Sequence, residues 1–152
     1  MGAPSTISRE IQVALPPSKL WEALKDPQML VKASNQAVVS IENVDGDAAL
    51  VGNTRMVKFN TDLVPYPFIK EELTMIDEST HTIGVSVIEG GLVGTQVSSL
   101  KWKLTLKPEG EGSLLLWSLD YEPKVPGTEE VDKFADGFVA SIKQVEAYVL
   151  SL

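Results

Sequence analysis

The chain contains no cysteine. Disulfide staples, thiolate metal ligands and cysteine nucleophiles are therefore all excluded, and the composition fits a reducing compartment. It holds a single histidine, His81, with no second histidine or carboxylate cluster at a ligand spacing. No metal site is expected, and no cofactor motif is present. His81 follows Ser79-Thr80 in a predicted turn, where a lone histidine is expected to sit in solvent, so no Ser-His-Asp constellation is available either. Basic residues are scarce, 13 Lys and Arg against 21 Asp and Glu, for a formal charge of -8. Nucleic acid and anionic membranes both require clustered cations, so neither is an expected partner. No apolar run approaches the ~20 residues that cross a bilayer. Met1 to Glu10 lacks the basic stretch and apolar core of a secretory signal, and the expected location is the cytoplasm. Repeats and low-complexity segments are missing, and Pro and Gly are dispersed as turn markers. The 152 residues read as one domain, residues 1-152, of a size that buries roughly 70% of its unfolded surface.

What is present is alternation. Ile7, Arg9, Ile11, Val13 and Leu15 alternate with Ser8, Glu10, Gln12 and Ala14, the period of a strand with one buried face. Pro16-Pro17 ends it. Ser18 to Lys25 and Pro27 to Ala33 read as two short helices split by Asp26-Pro27, a V-shaped bracket. Six further strands follow: Val38–Val44, Thr54–Asn60, Phe68–Asp77, Thr82–Glu89, Val97–Lys107 and Ser113–Tyr121. Turn signals separate them, among them Asp45-Gly46-Asp47, Gly90-Gly91 and Pro108 to Gly112. The spacing assigns Ile69, Glu71, Leu73 and Met75 to one face of the fourth strand. The seventh is too apolar at Leu114, Leu115 and Leu116 to assign faces.

From Thr128 to Leu150 the period changes to three and four. Val131, Phe134, Ala135, Phe138, Ile142, Val145 and Val149 form one stripe on a helix about 34 Å long. Thr128 is the expected cap, with Glu129 and Glu130 at the positive end of the helix dipole. Consecutive strands on short connections favour an antiparallel meander. The expectation is an α+β fold: a curved seven-stranded antiparallel sheet wrapped around the long C-terminal helix, with two short helices after the first strand. A bent sheet and one rod leave space between them, which is a natural ligand site.

Four segments carry a family resemblance: NQAVVSIENVDGD from Asn35, KE at Lys70-Glu71 with ID at Ile76-Asp77, SVIEGGLVG from Ser86, and VEAYVL from Val145. In this order and spacing the chain resembles the major birch pollen allergen family, plant pathogenesis-related class ten, from about residue 5 to residue 150. The resemblance implies the helix-grip, START-like fold. It also implies a defence-related plant protein that encloses hormones, flavonoids or other apolar metabolites in a shielded cavity. Some relatives are carriers. Others resemble norcoclaurine synthase, and more distant ones the abscisic acid receptors. The chain departs from the pattern in places. The family's glycine-rich loop reads GDAALVGNT here, with only Gly46 and Gly52 left. The synthase tyrosine after Gly-Gly is Leu92, its following acid is replaced around Gly94 and Thr95, and its lysine has no counterpart between Trp102 and Leu106. These departures argue against that reaction, and the receptors' gate and latch loops are not recognisable.

Arg55 and Glu71 each interrupt an apolar strand face, Arg55 beside Val57 and Phe59. A lone buried charge costs several kcal/mol, so one of each sign suggests a pair. Three roles stay open for it: a structural ion pair, an anchor for a ligand carboxylate or hydroxyl, or an acid/base pair for proton transfer. If the protein is an enzyme, the catalytic candidates are Arg55, Glu71 and Tyr148. Tyr66, in the Pro-flanked loop VPYPF, is a candidate for the cavity mouth. The expected ligand-binding residues are Val57, Phe59, Tyr66, Leu73, Ile83, Val85, Leu100, Trp102, Phe134, Phe138 and Ile142. Lys101, Lys103 and Lys107 form a solvated strand face. Gly90, Gly91 and Gly94 mark either a mobile loop or simple turn geometry. Gly137 either thins the helix for a ligand or accommodates packing. The leading expectation is a monomeric binding or carrier protein for a hydrophobic small molecule. The alternative is a cofactor-independent lyase, isomerase or cyclase using the same cavity.

Overall fold

A computed structural model describes residues 3–47 and 50–152. The elements are β1 (Ser5–Val13), α1 (Pro17–Lys25), α2 (Pro27–Ala33), β2 (Val38–Asp45), β3 (Thr54–Phe59), β4 (Phe68–Asp77), β5 (Thr82–Gly90), β6 (Val97–Glu109), β7 (Gly112–Pro123) and α3 (Glu129–Leu150). All seven strands join one curved antiparallel sheet in the order β1-β7-β6-β5-β4-β3-β2. The meander runs unbroken from β2 to β7, and β1 closes on its far edge. Each expected element is present, with ends shifted by one or two residues.

Local chemistry sets the corners. Pro17 opens α1, where its missing N–H and fixed φ suit the first helical position. Asp26 ends α1 and caps α2, its Oδ1 accepting from the Gln28 N–H at 3.0 Å. The β6–β7 hairpin closes with Glu109 opposite Gly112, and a side chain at Gly112 would collide with the Val13 carbonyl. Gly90 and Gly91 hold positive φ values of 83° and 58°. A Cβ on Gly90 would stand 2.5 Å from the Phe68 carbonyl oxygen, and the Gly91 N–H donates to that oxygen at 3.0 Å. Turn geometry therefore accounts for this pair.

Four expectations are corrected. Thr128 does not cap α3 with its side chain; its Oγ1 donates to Asp132 Oδ2 at 2.9 Å instead. Met75 is exposed rather than inward, because a register shift between Leu73 and Met75 swaps the faces. Ile76 takes the inward place opposite Ile83. His81 is half-buried, its ring 5.0 Å from that of Trp21. The faces of β7 are unambiguous: Ser113, Leu115, Trp117, Leu119 and Tyr121 point inward and are buried. Ala48 and Ala49, in the middle of the loop GDAALVGNT, lie outside the described residues.

The core lies between the concave face of the sheet and α3, whose buried residues are Val131, Ala135, Ile142, Val145 and Val149. The α1–α2 bracket packs against one end of α3. Outside, α1 is clasped to the β4–β5 turn: Trp21 Nε1 donates to Glu78 Oε2 at 2.5 Å and Lys25 Nζ to Glu78 Oε1 at 2.9 Å. No helix among the described residues is long and apolar enough to cross a membrane.

Candidate functional site

Between the sheet and α3 lies a pocket of about 530 Å³. Strands β2 to β6 supply one wall, the α1–α2 bracket closes an end with Ala23, Leu24 and Leu30, and α3 supplies the roof. Leu63 to Tyr66, from the β3–β4 connection, stand at the margin, and Leu63 is exposed to solvent. The walls are mainly hydrocarbon, as expected where apolar strand faces and one helix stripe meet without touching.

Most expected side chains are brought together here. Val57, Phe59, Tyr66, Ile83, Trp102, Phe134, Phe138 and Ile142 line the pocket, together with Arg55 and Glu71. Four do not. Leu73, Val85 and Leu100 are buried in the surrounding core, and Tyr148 packs against it beyond the last pocket residue of α3, Val145. Alternation separates inward from outward and no more. Inward Val85 pairs with bulky Trp102, and inward Leu100 with Tyr121, so these shorter side chains finish as core. Tyr148 is therefore withdrawn from the catalytic candidates.

Arg55 and Glu71 face each other directly in the β3–β4 register. Arg55 Nε lies 2.7 Å from Glu71 Oε1. Glu71 is 5% exposed, and a carboxylate so enclosed needs its partner. A guanidinium carries five N–H donors. Among the described residues, only Nε–H of Arg55 is engaged, leaving its two terminal nitrogens for the pocket. Tyr66 packs edge-on against Phe59, with centroids 5.5 Å apart. Burial, then the charge of Glu130, pushes its phenol up to about 12. It thus stays a neutral donor through the physiological range. At the rim, Lys133 sits 3.4 Å from Glu130, which holds its ammonium above the ordinary range.

Sequence reasoning missed several lining residues. Ser34, Ser141 and Gln144 line the pocket, but polar residues on the flanks of an apolar stripe carry no periodic signal. Ser141 spends its hydroxyl on the Phe138 carbonyl at 2.7 Å. Leu92, buried in the core, lines the pocket as well. Gly137 lines it too; it is exposed, and a Cβ placed there would meet nothing within 4 Å. Trp117 was overlooked because its strand had no assigned faces. Its ring stacks on Phe138 at 4.5 Å, while Trp102 meets the same ring at 5.2 Å. Trp102 and Phe138 line the pocket, and Trp117 backs them from the core. Among the described residues, no group of three or more His, Cys, Asp or Glu is placed to hold a metal.

Comparison with known proteins agrees with this architecture. MLP-like protein 423 of Arabidopsis thaliana is 25% identical over 151 residues, covering 99% of this chain and 97% of that protein. The crystal structure of Ara h 8.0201 superposes with a TM-score of 0.86 at 24% identity, covering 99% and 100% of the two chains. Norcoclaurine synthase from Thalictrum flavum superposes at 0.79 with 22% identity, covering 98% of this chain and 88% of the synthase, a likeness of fold alone. The sequence pattern of the pathogenesis-related protein Bet v 1 family matches residues 3–152. With that match over nearly its whole length, the chain belongs to the pathogenesis-related protein Bet v 1 family.

Proposed function

We propose that the chain acts as a monomeric cytoplasmic binding or carrier protein for hydrophobic plant small molecules, such as hormones, flavonoids or other specialised metabolites, in a defence-related setting. The observation that supports this reading is the pocket of about 530 Å³ between sheet and helix, with apolar walls and a few polar groups gathered at Arg55, Glu71 and Tyr66. Its volume lies within the range of roughly 300–1,000 Å³ common for small-molecule sites. Val57, Phe59, Ile83, Trp102, Phe134, Phe138 and Ile142 supply apolar contact. The free guanidinium nitrogens of Arg55 anchor a carboxylate or hydroxyl oxygen. Equilibrium titration with an apolar dye, a flavonoid and a cytokinin should give dissociation constants on the order of micromolar or tighter. No binding with any of the three would reject the reading.

The Arg55–Glu71 pair also motivates a second reading, a cofactor-independent lyase, isomerase or cyclase. A dry pocket that holds a reactive intermediate and moves one proton needs neither metal nor nucleotide. Leu92, at the position of the synthase tyrosine, counts against the norcoclaurine reaction itself. Arg55→Met and Glu71→Gln separate the readings. As a binding anchor, Arg55→Met weakens a carboxylate-bearing ligand about tenfold, the loss of a charged hydrogen bond, and leaves the apolar dye untouched. As an acid/base pair, both substitutions abolish turnover while ligand affinity is retained.

A further inference from the structure

A second, smaller pocket of about 180 Å³ lies where the end of β7 meets the first turn of α3, and the function proposed above makes no use of it. Tyr121 is 5% exposed, on the inward face of β7. It lines this pocket and not the larger one. Its hydroxyl makes no hydrogen bond with a described residue, yet it is not sealed in: Trp117 Nε1 is the one fully enclosed side-chain polar atom without a partner among the described residues. Tyr121 thus brings to the pocket it lines a hydroxyl that is neither bonded to a described residue nor fully enclosed.

Two further sets of donors border it. Gln96 commits its backbone, the N–H to Leu92 O at 3.0 Å and the carbonyl to Lys124 N at 2.9 Å, while its side-chain amide has no partner among the described residues. Glu129, Glu130 and Val131 bring the first turn of α3. The opening N–H groups of a helix have no intrahelical acceptor, and here the capping residue does not supply one, since Thr128 turns its hydroxyl to Asp132. The remaining wall is apolar, from Pro123, Pro126 and Val131.

A phenol, an amide and the positive end of a helix select an oxygen acceptor. A full anion would face the carboxylates of Glu129 and Glu130, and a cation would face the helix dipole. A neutral carbonyl or alcohol oxygen meets neither penalty. We propose that this pocket is a second binding site, for a small neutral oxygen-bearing group seated between Tyr121 and the first turn of α3. Glu130 lines both pockets, so the group is either a separate small molecule or the polar end of a longer guest whose apolar body fills the larger pocket.

Amide chemical-shift titration of the whole chain tests this, with N-methylacetamide, acetate and tetramethylammonium as probes at matched ionic strength. N-methylacetamide should shift the amides of Glu129 to Val131 saturably, and both ions should bind at least about threefold more weakly. Tyr121→Phe keeps the ring and the fold, and should weaken N-methylacetamide by about threefold or more, the scale of one hydrogen bond. Gln96→Leu should weaken it in the same direction. Decanol identifies the source. Shifts at those amides together with displacement of a dye from the larger pocket assign the group to a longer guest. Dye displacement without such shifts, while N-methylacetamide still binds, assigns it to a separate molecule. The proposal is overturned by absence of saturable shifts in the unmodified chain, by full affinity in both variants, or by tighter binding of either ion.

Discussion

Strands β1 and β7 meet α3 as packed core, whereas β2 to β5 meet the same helix across open space, and the difference begins in the backbone. The β1–β7 ladder runs without interruption from Ser5 opposite Tyr121 to Val13 opposite Ser113. The β2–β3 and β4–β5 ladders each carry two register shifts, and such irregularities bend and twist the strands that hold them. Side-chain size follows the same division. Leu115, Trp117 and Leu119 of β7 are buried to 2% exposure or less, and neither β1 nor β7 contributes to the larger pocket. On the other side, the bracket of α1 and α2 packs against α3 and closes one end of the pocket. One apolar stripe thus serves two purposes, with Phe138 at the boundary: its ring stacks on Trp117 and also lines the pocket.

Truncation on the two sides should break the comparison most plainly. Leu115→Ala leaves a cavity in the packed half and should cost about 2–5 kcal/mol in denaturant unfolding. Val57→Ala enlarges space that already exists and should cost roughly 1 kcal/mol, mainly the transfer of the lost hydrocarbon. Equal losses would mean that the two halves are packed alike. Gly137→Ala sharpens the contrast. A methyl group there meets no atom within 4 Å, so unfolding should become about 1 kcal/mol harder through helix propensity, while affinity for an apolar dye falls if the guest rests against this turn of α3. Gain of stability without loss of binding would place the guest elsewhere.

The smallest expected effect concerns the clasp on α1. The bond from Lys25, and then that from Trp21, holds the Glu78 carboxyl below the ordinary glutamate range. A carboxyl with a lowered folded value stabilises the fold above its unfolded value of about 4.3, and that contribution is lost as pH falls through the lowered value. The protection of the α1 amides, referred to intrinsic exchange at the same pH, should therefore fall on acidification before that of β7, and Glu78→Gln should remove the difference between neutral and mildly acidic pH. Simultaneous loosening of α1 and β7 would show that the clasp does not hold the pocket end separately.

How much of this was legible in the sequence differs by half as well. Alternation and turn residues locate every strand, since a strand with one wet face must show period two. Arg55 and Glu71 were legible as a pair because charges on apolar faces need partners. Met75 was misplaced because a bulge reverses the faces downstream and leaves no mark in composition. Leu73, Val85 and Leu100 were expected in the pocket because periodicity reports direction and not the height of neighbouring side chains. The second pocket was invisible: it depends on Thr128 failing to cap α3 and on which end of β7 meets the helix, neither of which is periodic.

The strand order also has a consequence for the chain during its synthesis. Ser5 pairs with Tyr121, so at translation speeds of ~5–20 residues per second β1 waits on the order of ten seconds for its partner. During that interval it is an unpaired strand with apolar side chains on one face, the kind of segment that seeks other chains. Arg9 and Glu10 within it and the prolines at 16 and 17 behind it are the residue types that discourage such pairing. β1 is made long before the strand it pairs with, and its charges guard the delay.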